Sequence, residues 1–93
     1  MNMSENINWK EVAQQYFDDN GSNDNWVFDV VDSYVPIYYY DIAQEAIRLN
    51  LLTENVEQMW VGSPIYQAFQ MLIFTEYHSL FMEEYNKILE EEE

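Results

Sequence analysis

Polar breaks divide the chain into segments in which apolar residues recur at helical spacing. In the first segment, Asn8 and Glu11 resemble a capping box, in which each side chain pairs with the other residue's backbone N–H. This pattern predicts a helix to about Asp18, which the run Asn-Gly-Ser-Asn at 20–23 ends. The apolar face of this helix is expected to comprise Trp9, Val12, Ala13, Tyr16 and Phe17.

Two further short helices are predicted in the first half of the chain. Asp24 or Asn25 can cap one over residues 26–33. Pro36 suits the first turn of the next helix, which would run to about Asn50. Proline has no backbone N–H, and the N–H groups of a first turn have no partner within the helix. The inward side chains of the earlier helix are expected to be Trp26, Val27, Val30 and Val31. The buried stripe of the later one is expected to be Ile37, Tyr39, Tyr40, Ala43 and Ile47.

The clearest boundary is the run Gly-Ser-Pro at 62–64, which follows a stretch at 53–57 that is compatible with a short helical turn. Ser63 is expected to cap a final helix that has Pro64 at its first position and runs to about Glu90, a length of about 40 Å. The pattern therefore predicts an all-α fold of three to five helices with a long C-terminal helix. Residues 1–93 would form a single domain, with 90–93 as a frayed tail.

Two apolar stripes can be traced along the final helix. One consists of Tyr66, Phe69, Ile73, Tyr77, Leu80 and Ile88, and the other of Met71, Phe74, His78, Met82, Tyr85 and Leu89. Because a domain this small can hardly cover both stripes with its short helices, the second is expected to form a homodimer interface. The alternative is that the other helices wrap around it.

The composition is that of a folded protein, since 48% of the residues are hydrophobic and 17% aromatic. Cysteine is absent, which excludes disulfides and thiolate metal sites. The first residues lack the pattern of a signal peptide, and no stretch approaches the length of a membrane span. We expect a cytoplasmic protein that does not bind membranes.

Charge is the most unusual property of the chain. Asp and Glu number 18 against 3 Lys and Arg, a formal net charge of -15. Such self-repulsion opposes a compact fold, so the excess indicates a function, although acidity can also serve solubility or reflect a halophilic source. Direct binding to nucleic acid is disfavoured, because phosphate contacts need the missing cations. The carboxylates expected to contact a partner are Asp18, Asp19, Asp24, Asp29, Asp32, Asp41, Glu45, Glu54, Glu57, Glu76, Glu83, Glu84 and Glu90.

Features that could indicate catalysis or metal binding are weak. His78 is the lone histidine and lies in register with the second stripe, which favours a packing role. Residues 18–29 resemble a calcium loop only superficially, because the glycine is misplaced and the closing Glu is missing. The pair Glu83 and Glu84 has no accompanying nucleophile, phosphate loop or metal-spaced His set. We therefore expect no enzyme activity, no cofactor and no metal site.

The magnitude of the charge invites comparison with DNA. Duplex DNA carries one negative charge per about 1.7 Å of axis. A compact chain of this length would be about 32 Å across, a span over which a duplex shows about 19 charges. The net charge of -15 is of that order. Carboxylates held on rigid helices would bind a basic groove without the ordering cost of a floppy tail.

The segment Val-Pro-Ile-Tyr-Tyr-Tyr-Asp-Ile at 35–42 resembles the Ocr family of phage anti-restriction proteins, in which a similar segment opens a helix. The resemblance continues loosely at 65–67 and in the acidic end at 83–93, and it covers about two-thirds of the chain. It implies a dimeric, helical mimic of B-form DNA that occupies the DNA-binding groove of type I restriction-modification enzymes. The matching positions are Pro36, Tyr38, Tyr39, Asp41 and Ile42, of which Asp41 would present charge.

The expected function is thus inhibition of a DNA-binding host defence enzyme by a phage-encoded mimic of DNA. The alternative is an acidic interaction module that binds a basic protein without imitating a duplex. A histone-like protein, a CRISPR effector or a phage assembly component would be suitable partners for such a module.

Overall fold

The computed structural model describes residues 7–51 and 64–92, and within them the chain is all-α. The helices are α1 (Trp9–Asn20), α2 (Val27–Asp32), α3 (Tyr39–Arg48) and α4 (Pro64–Glu92). The predicted fold class and the long C-terminal helix are therefore confirmed. The expected helical turn at 53–57, the cap at Ser63, and Glu54 and Glu57 lie outside the described residues.

Helix α1 begins as the sequence predicts. The Asn8 side chain accepts a hydrogen bond from the Glu11 backbone N–H at 3.1 Å, which satisfies one of the free donors of the first turn. The helix ends at Gly21, whose N–H donates to the Phe17 carbonyl at 2.7 Å. Gly21 adopts φ 62° and ψ -133°, a conformation that only glycine adopts without strain. The glycine thus ends α1 two residues later than expected.

Helix α2 differs from its prediction at its N-terminus. Trp26 is the N-cap and makes no side-chain capping bond, whereas the Asp24 carbonyl accepts the Val27 N–H at 3.3 Å. The Trp26 side chain is 54% exposed, so its prediction as an inward residue is wrong. Val27 and Val31 are buried as expected. Val30, also predicted inward, is half-buried and packs against the core.

Helix α3 begins three residues after Pro36, with Tyr38 as its N-cap. The predicted stripe is mostly wrong, because a different side of α3 faces the core. Its buried side chains are Ile42, Ala43, Glu45 and Ala46, whereas Ile37, Tyr40 and Ile47 are exposed. The helix ends in a Schellman motif: the Leu51 N–H donates to Ala46 and the Asn50 N–H to Ile47, with Asn50 at φ 63°.

Helix α4 is the element on which all three shorter helices pack. Helix α1 runs parallel to it, since Trp9 contacts Tyr77 and Tyr16 contacts Tyr85. Helix α2 runs antiparallel, with Phe28 against Phe74 and the following residues beside Gln70. Helix α3 runs parallel again, because the Pro36 carbonyl accepts from Gln70 while Glu45 reaches Tyr77. The short helices therefore wrap much of the long one.

The core is one cluster built around a single stripe of α4. That stripe consists of Ile73, Tyr77, Phe81, Tyr85 and Ile88. Ile73, Tyr77 and Ile88 come from the first predicted stripe and Tyr85 from the second, whereas Phe81 was in neither. Helices packed on adjacent sides of α4 cover a wide arc, which brings these side chains into one core. Leu80, placed in the first predicted stripe, is 37% exposed. Glu90 and Glu91, expected in a frayed tail, belong to the helix.

The molecule is elongated, with principal extents of 48 × 21 × 17 Å and a radius of gyration of 14.7 Å. Its length follows from α4, since 29 residues of helix span about 43 Å. In the described ranges, no helix has both the length and the apolar character needed to cross a membrane.

Candidate functional site

The described carboxylates are distributed over every helix and along most of the length of α4. Asp32 lies close to Met71 of α4, and Asp24 is close enough to Tyr85 to affect its ionisation. From Met71 to Glu90, α4 rises about 29 Å. The exposed predicted carboxylates in these elements are Asp18, Asp19, Asp24, Asp29, Asp32, Glu76, Glu83 and Glu90, with Asp41 and Glu84 half-buried.

Several carboxylates lie where they oppose the stability of their own helix. The C-terminal end of a helix carries partial negative charge, and basic side chains there are favourable. Helices α1, α2 and α4 nevertheless have no basic residue in their last turns. Asp18 and Asp19 end α1, Asp32 ends α2, and Glu90 and Glu91 end α4. Helix stability therefore does not explain the position of these acids.

Glu45 is a correction to the predicted partner-binding set. Its side chain is 1% exposed, so it cannot be presented to a partner. Arg48 holds both carboxylate oxygens, with Nε at 2.8 Å from Oε1 and Nη2 at 3.2 Å from Oε2. The Tyr77 hydroxyl donates a hydrogen bond to Oε2. The i, i+3 spacing between Glu45 and the lone arginine was the sequence signal for this pair.

Positive charge is largely offset by neighbouring acids. Arg48 pairs with Glu45, and Lys87 Nζ lies 3.4 Å from Glu84 and 3.9 Å from Glu83. The third cation, Lys10, lines a groove together with Glu83 and Glu84. Glu83 and Glu84 are therefore less available than the other exposed acids, whereas Asp18, Asp19, Asp29 and Asp32 form no ion pair among the described residues.

The predicted dimer stripe is only partly accessible. Tyr85 is 1% exposed, which corrects its assignment to an interface, because α1 and the following loop cover it. His78 is half-buried and stacks on Phe74 at a centroid distance of 5.8 Å. Met82 and Leu89 are half-buried against the core. Met71 remains 72% exposed.

An apolar groove lies between α2 and α4 at the exposed end of this stripe. It encloses about 640 Å³ and is lined by Phe28, Asp32, Val35, Gln67, Gln70, Met71, Phe74 and Thr75. Phe28 is 62% exposed, and its ring centroid lies 4.6 Å from that of Phe74. Phe28 was not among the residues singled out from the sequence. The sequence signal that could have identified Phe28 as exposed is its position on the side of α2 that also carries Asp29 and Asp32.

The segment at 35–42 has mixed exposure. Pro36 and Ile42 are buried, Tyr38 is 74% exposed, and Asp41 is half-buried in the first turn of α3. The backbone of Tyr39 opens the helix. Pro36 and Ile42 thus anchor the segment to the core, while Asp41 occupies the N-terminal turn, where negative charge is favourable.

Two tyrosine hydroxyls hold the loop between α1 and α2. The Tyr85 hydroxyl donates to the Gly21 carbonyl at 2.8 Å. The Tyr16 hydroxyl donates to the Asn23 carbonyl and accepts the Trp26 N–H at 3.3 Å. Burial raises the pKa of Tyr85, with smaller contributions from Tyr16 and Asp24. These bonds position Asp24 on an ordered loop.

In residues 7–51 and 64–92, no three His, Asp or Glu side chains come together in a way that could hold a metal ion. Comparison of the chain with protein-family models, curated proteins and solved structures gives no match.

Proposed function

We propose that this protein is a phage-encoded DNA mimic that acts in the host cytoplasm and blocks the DNA-binding groove of a defence enzyme such as a type I restriction-modification system. It catalyses no reaction in this role. The observation that carries the proposal is an elongated helical body with many exposed carboxylates, on which Arg48 and Lys87 are each paired with an acid of their own helix. The resemblance at 35–42 agrees with it.

The dimensions support a decoy of limited length. A duplex 48 Å long carries about 28 phosphate charges, so the net charge of -15 supplies about half that density. A groove lined with Lys and Arg needs charge mainly on the face that it contacts. A homodimer would extend the charged surface, and this stays a prediction that light scattering can test.

Rigidity distinguishes this array from an acidic tail. Asp18 and Asp19 accept hydrogen bonds from Gln14 and Gln15, one turn earlier in α1, at 3.1 and 3.4 Å. Asp29 and Asp32 lie on a helix anchored by Val27 and Val31. Because the helices that carry these carboxylates are already folded, a target binds them without first restricting a flexible chain.

The first experiment is competition with DNA. The purified protein is titrated into a type I restriction-modification enzyme with labelled duplex DNA bound to it, over a range of NaCl concentrations. We expect displacement of the DNA and an affinity that falls steeply with salt, because screening weakens attraction between charges. Simultaneous binding of DNA and the protein would refute duplex mimicry and favour the acidic interaction module.

The second experiment tests the acids themselves. Asp18, Asp19, Asp29 and Asp32 are replaced together by Asn, with replacement by Glu at the same positions as the matched control. Because long-range attraction and salt dependence scale with charge, the Asn variant should bind at least about tenfold more weakly with a flatter salt slope. The Glu variant should retain most of the affinity. Equal binding by the Asn variant and the wild type would contradict the assignment.

A further inference from the structure

We propose that the groove between α2 and α4 receives an apolar side chain from a basic helix of the target protein. The inference rests on the proposed function and deepens it, because it identifies a contact that duplex DNA does not make. The target would therefore be recognised through an acidic surface with one apolar anchor point.

The walls of the groove are unusually exposed for apolar side chains. Phe28 is 62% and Met71 is 72% exposed, while Phe74 forms the half-buried floor between them. Clustered exposed apolar side chains on a small soluble protein are typical of binding sites. Methionine is flexible and polarisable, so Met71 can adapt to an inserted side chain.

The charge around the groove identifies the chemistry of its occupant. Asp32 lines it, and Asp29 is exposed one turn earlier on α2. The described lining contains no Lys or Arg. A helix with Leu or Phe on one side and Lys or Arg on the flanks would insert the apolar side chain and place its cations beside these aspartates.

A second copy of this chain is the competing occupant, because Met71 and Phe74 belong to the stripe expected to self-associate. A two-fold contact through the groove would bring Asp32 of both copies together, between molecules that each carry -15. Like charges facing each other across an interface are unfavourable. Self-association would then use His78, Met82 and Leu89, farther along α4.

The test uses two synthetic helical peptides of equal charge. One carries lysines on one face and leucines on the other, and in its partner glutamines replace the leucines. Binding to the full chain is measured by fluorescence anisotropy at low and high salt. We expect the leucine peptide to bind about tenfold more tightly at both salt concentrations, since apolar contacts are not screened. It should also shift the Met71 methyl resonance in NMR spectra, whereas the glutamine peptide should not.

Substitution variants then locate the contact. Phe28→Ala with Met71→Ala should remove the preference for leucine, and Trp26→Ala with Leu72→Ala is the matched control because those side chains are 54% and 46% exposed outside the groove. The control should retain the preference. Circular dichroism checks that both variants fold, and the Met71 resonance tests the contact in the unsubstituted chain.

Two results would overturn the inference. One is equal affinity of the wild type for both peptides, without a shift at Met71. The other is a wild-type dimer that the groove substitutions convert to a monomer, which would assign the groove to a second copy. Neither measurement involves DNA or a defence enzyme, so failure here is distinguishable from failure of the DNA competition.

Discussion

At the scale of residues, single hydroxyl groups decide the shape of the acidic loop between α1 and α2. Tyr85 reaches back to the carbonyl of Gly21, 64 residues earlier in the chain. Tyr16 connects Asn23 and Trp26 through one oxygen atom. Without these bonds, the glycine turn would connect the two helices but would not hold the loop against α4.

The raised pKa of Tyr85 leads to a prediction about alkaline stability. At pH values just above the ordinary tyrosine pKa of 10, the folded protein keeps the phenolic proton of Tyr85, whereas the unfolded chain releases it. The contribution of Tyr85 to the free energy of unfolding should therefore be fully present and independent of pH below pH 10, and should be lost as the pH rises through the folded pKa. Tyr85→Phe should lower stability by about 1 kcal/mol at neutral pH through the lost hydrogen bond, and flatten the alkaline decline.

Urea denaturation at a series of pH values measures both effects. Tyr40→Phe is the control, since Tyr40 is 60% exposed. It should follow the wild-type profile. An alkaline decline as steep in Tyr85→Phe as in the wild type would show that other groups cause it.

At the scale of elements, the buried ion pair fixes how α3 lies on α4. Glu45 lies on the buried face of α3, and Tyr77 of α4 donates to it. Arg48 compensates the charge, although its side chain is 34% exposed. A buried carboxylate without its cation is costly, whereas an arginine without its acid can turn toward water.

This asymmetry predicts unequal effects of removing the two partners. Arg48→Ala should lower the free energy of unfolding by about 3 kcal/mol, because it removes the guanidinium group that pairs with the buried carboxylate. Glu45→Gln should cost less than half as much, since the amide oxygen can still accept from Tyr77. Thermal and urea denaturation measure both, with Asp41→Asn as the control one turn earlier. Equal losses for the two substitutions would contradict this account.

At the scale of the whole molecule, function and stability make opposite demands on charge. Exposed acids on α1, α2 and α4 suit a basic target, but they also repel one another across a body only 21 × 17 Å in cross-section. The aromatic core on α4 offsets this repulsion. Partner cations would relieve it in the complex, so binding should stabilise the fold.

Salt should therefore stabilise the free protein. The screening length falls from about 30 Å at 0.01 M salt to about 8 Å at 0.15 M, which is less than the width of the molecule. If screening contributes about 1 kcal/mol, the Tm should rise by about 4–8 °C over that range of NaCl. Calorimetry measures the shift, and the variant with Asn at 18, 19, 29 and 32 should respond less. A Tm that stays constant or falls would show that repulsion is unimportant.

The helices whose ends carry local signals, and the amount of charge on the molecule, can be predicted without knowledge of the fold. Asn8 and Pro64 mark helix starts through interactions within one turn, so their prediction needs no knowledge of packing. The net charge follows from composition alone. The acids Asp18, Asp19, Asp29 and Asp32 are exposed as predicted. Burial of a charge without a partner is costly, so such side chains remain in water in most folds.

Several polar and apolar side chains have an exposure opposite to the predicted one, and the cause lies in the packing of the helices on one another. Glu45 is buried because Tyr77, 32 residues away, and Arg48 together satisfy it. Trp26 and Phe28 are exposed because α2 presents only one narrow side to α4. Tyr85 is buried because α1 runs parallel to α4 and covers it. These outcomes depend on how helices distant in sequence share the surface of α4, and helical periodicity carries no information about that arrangement.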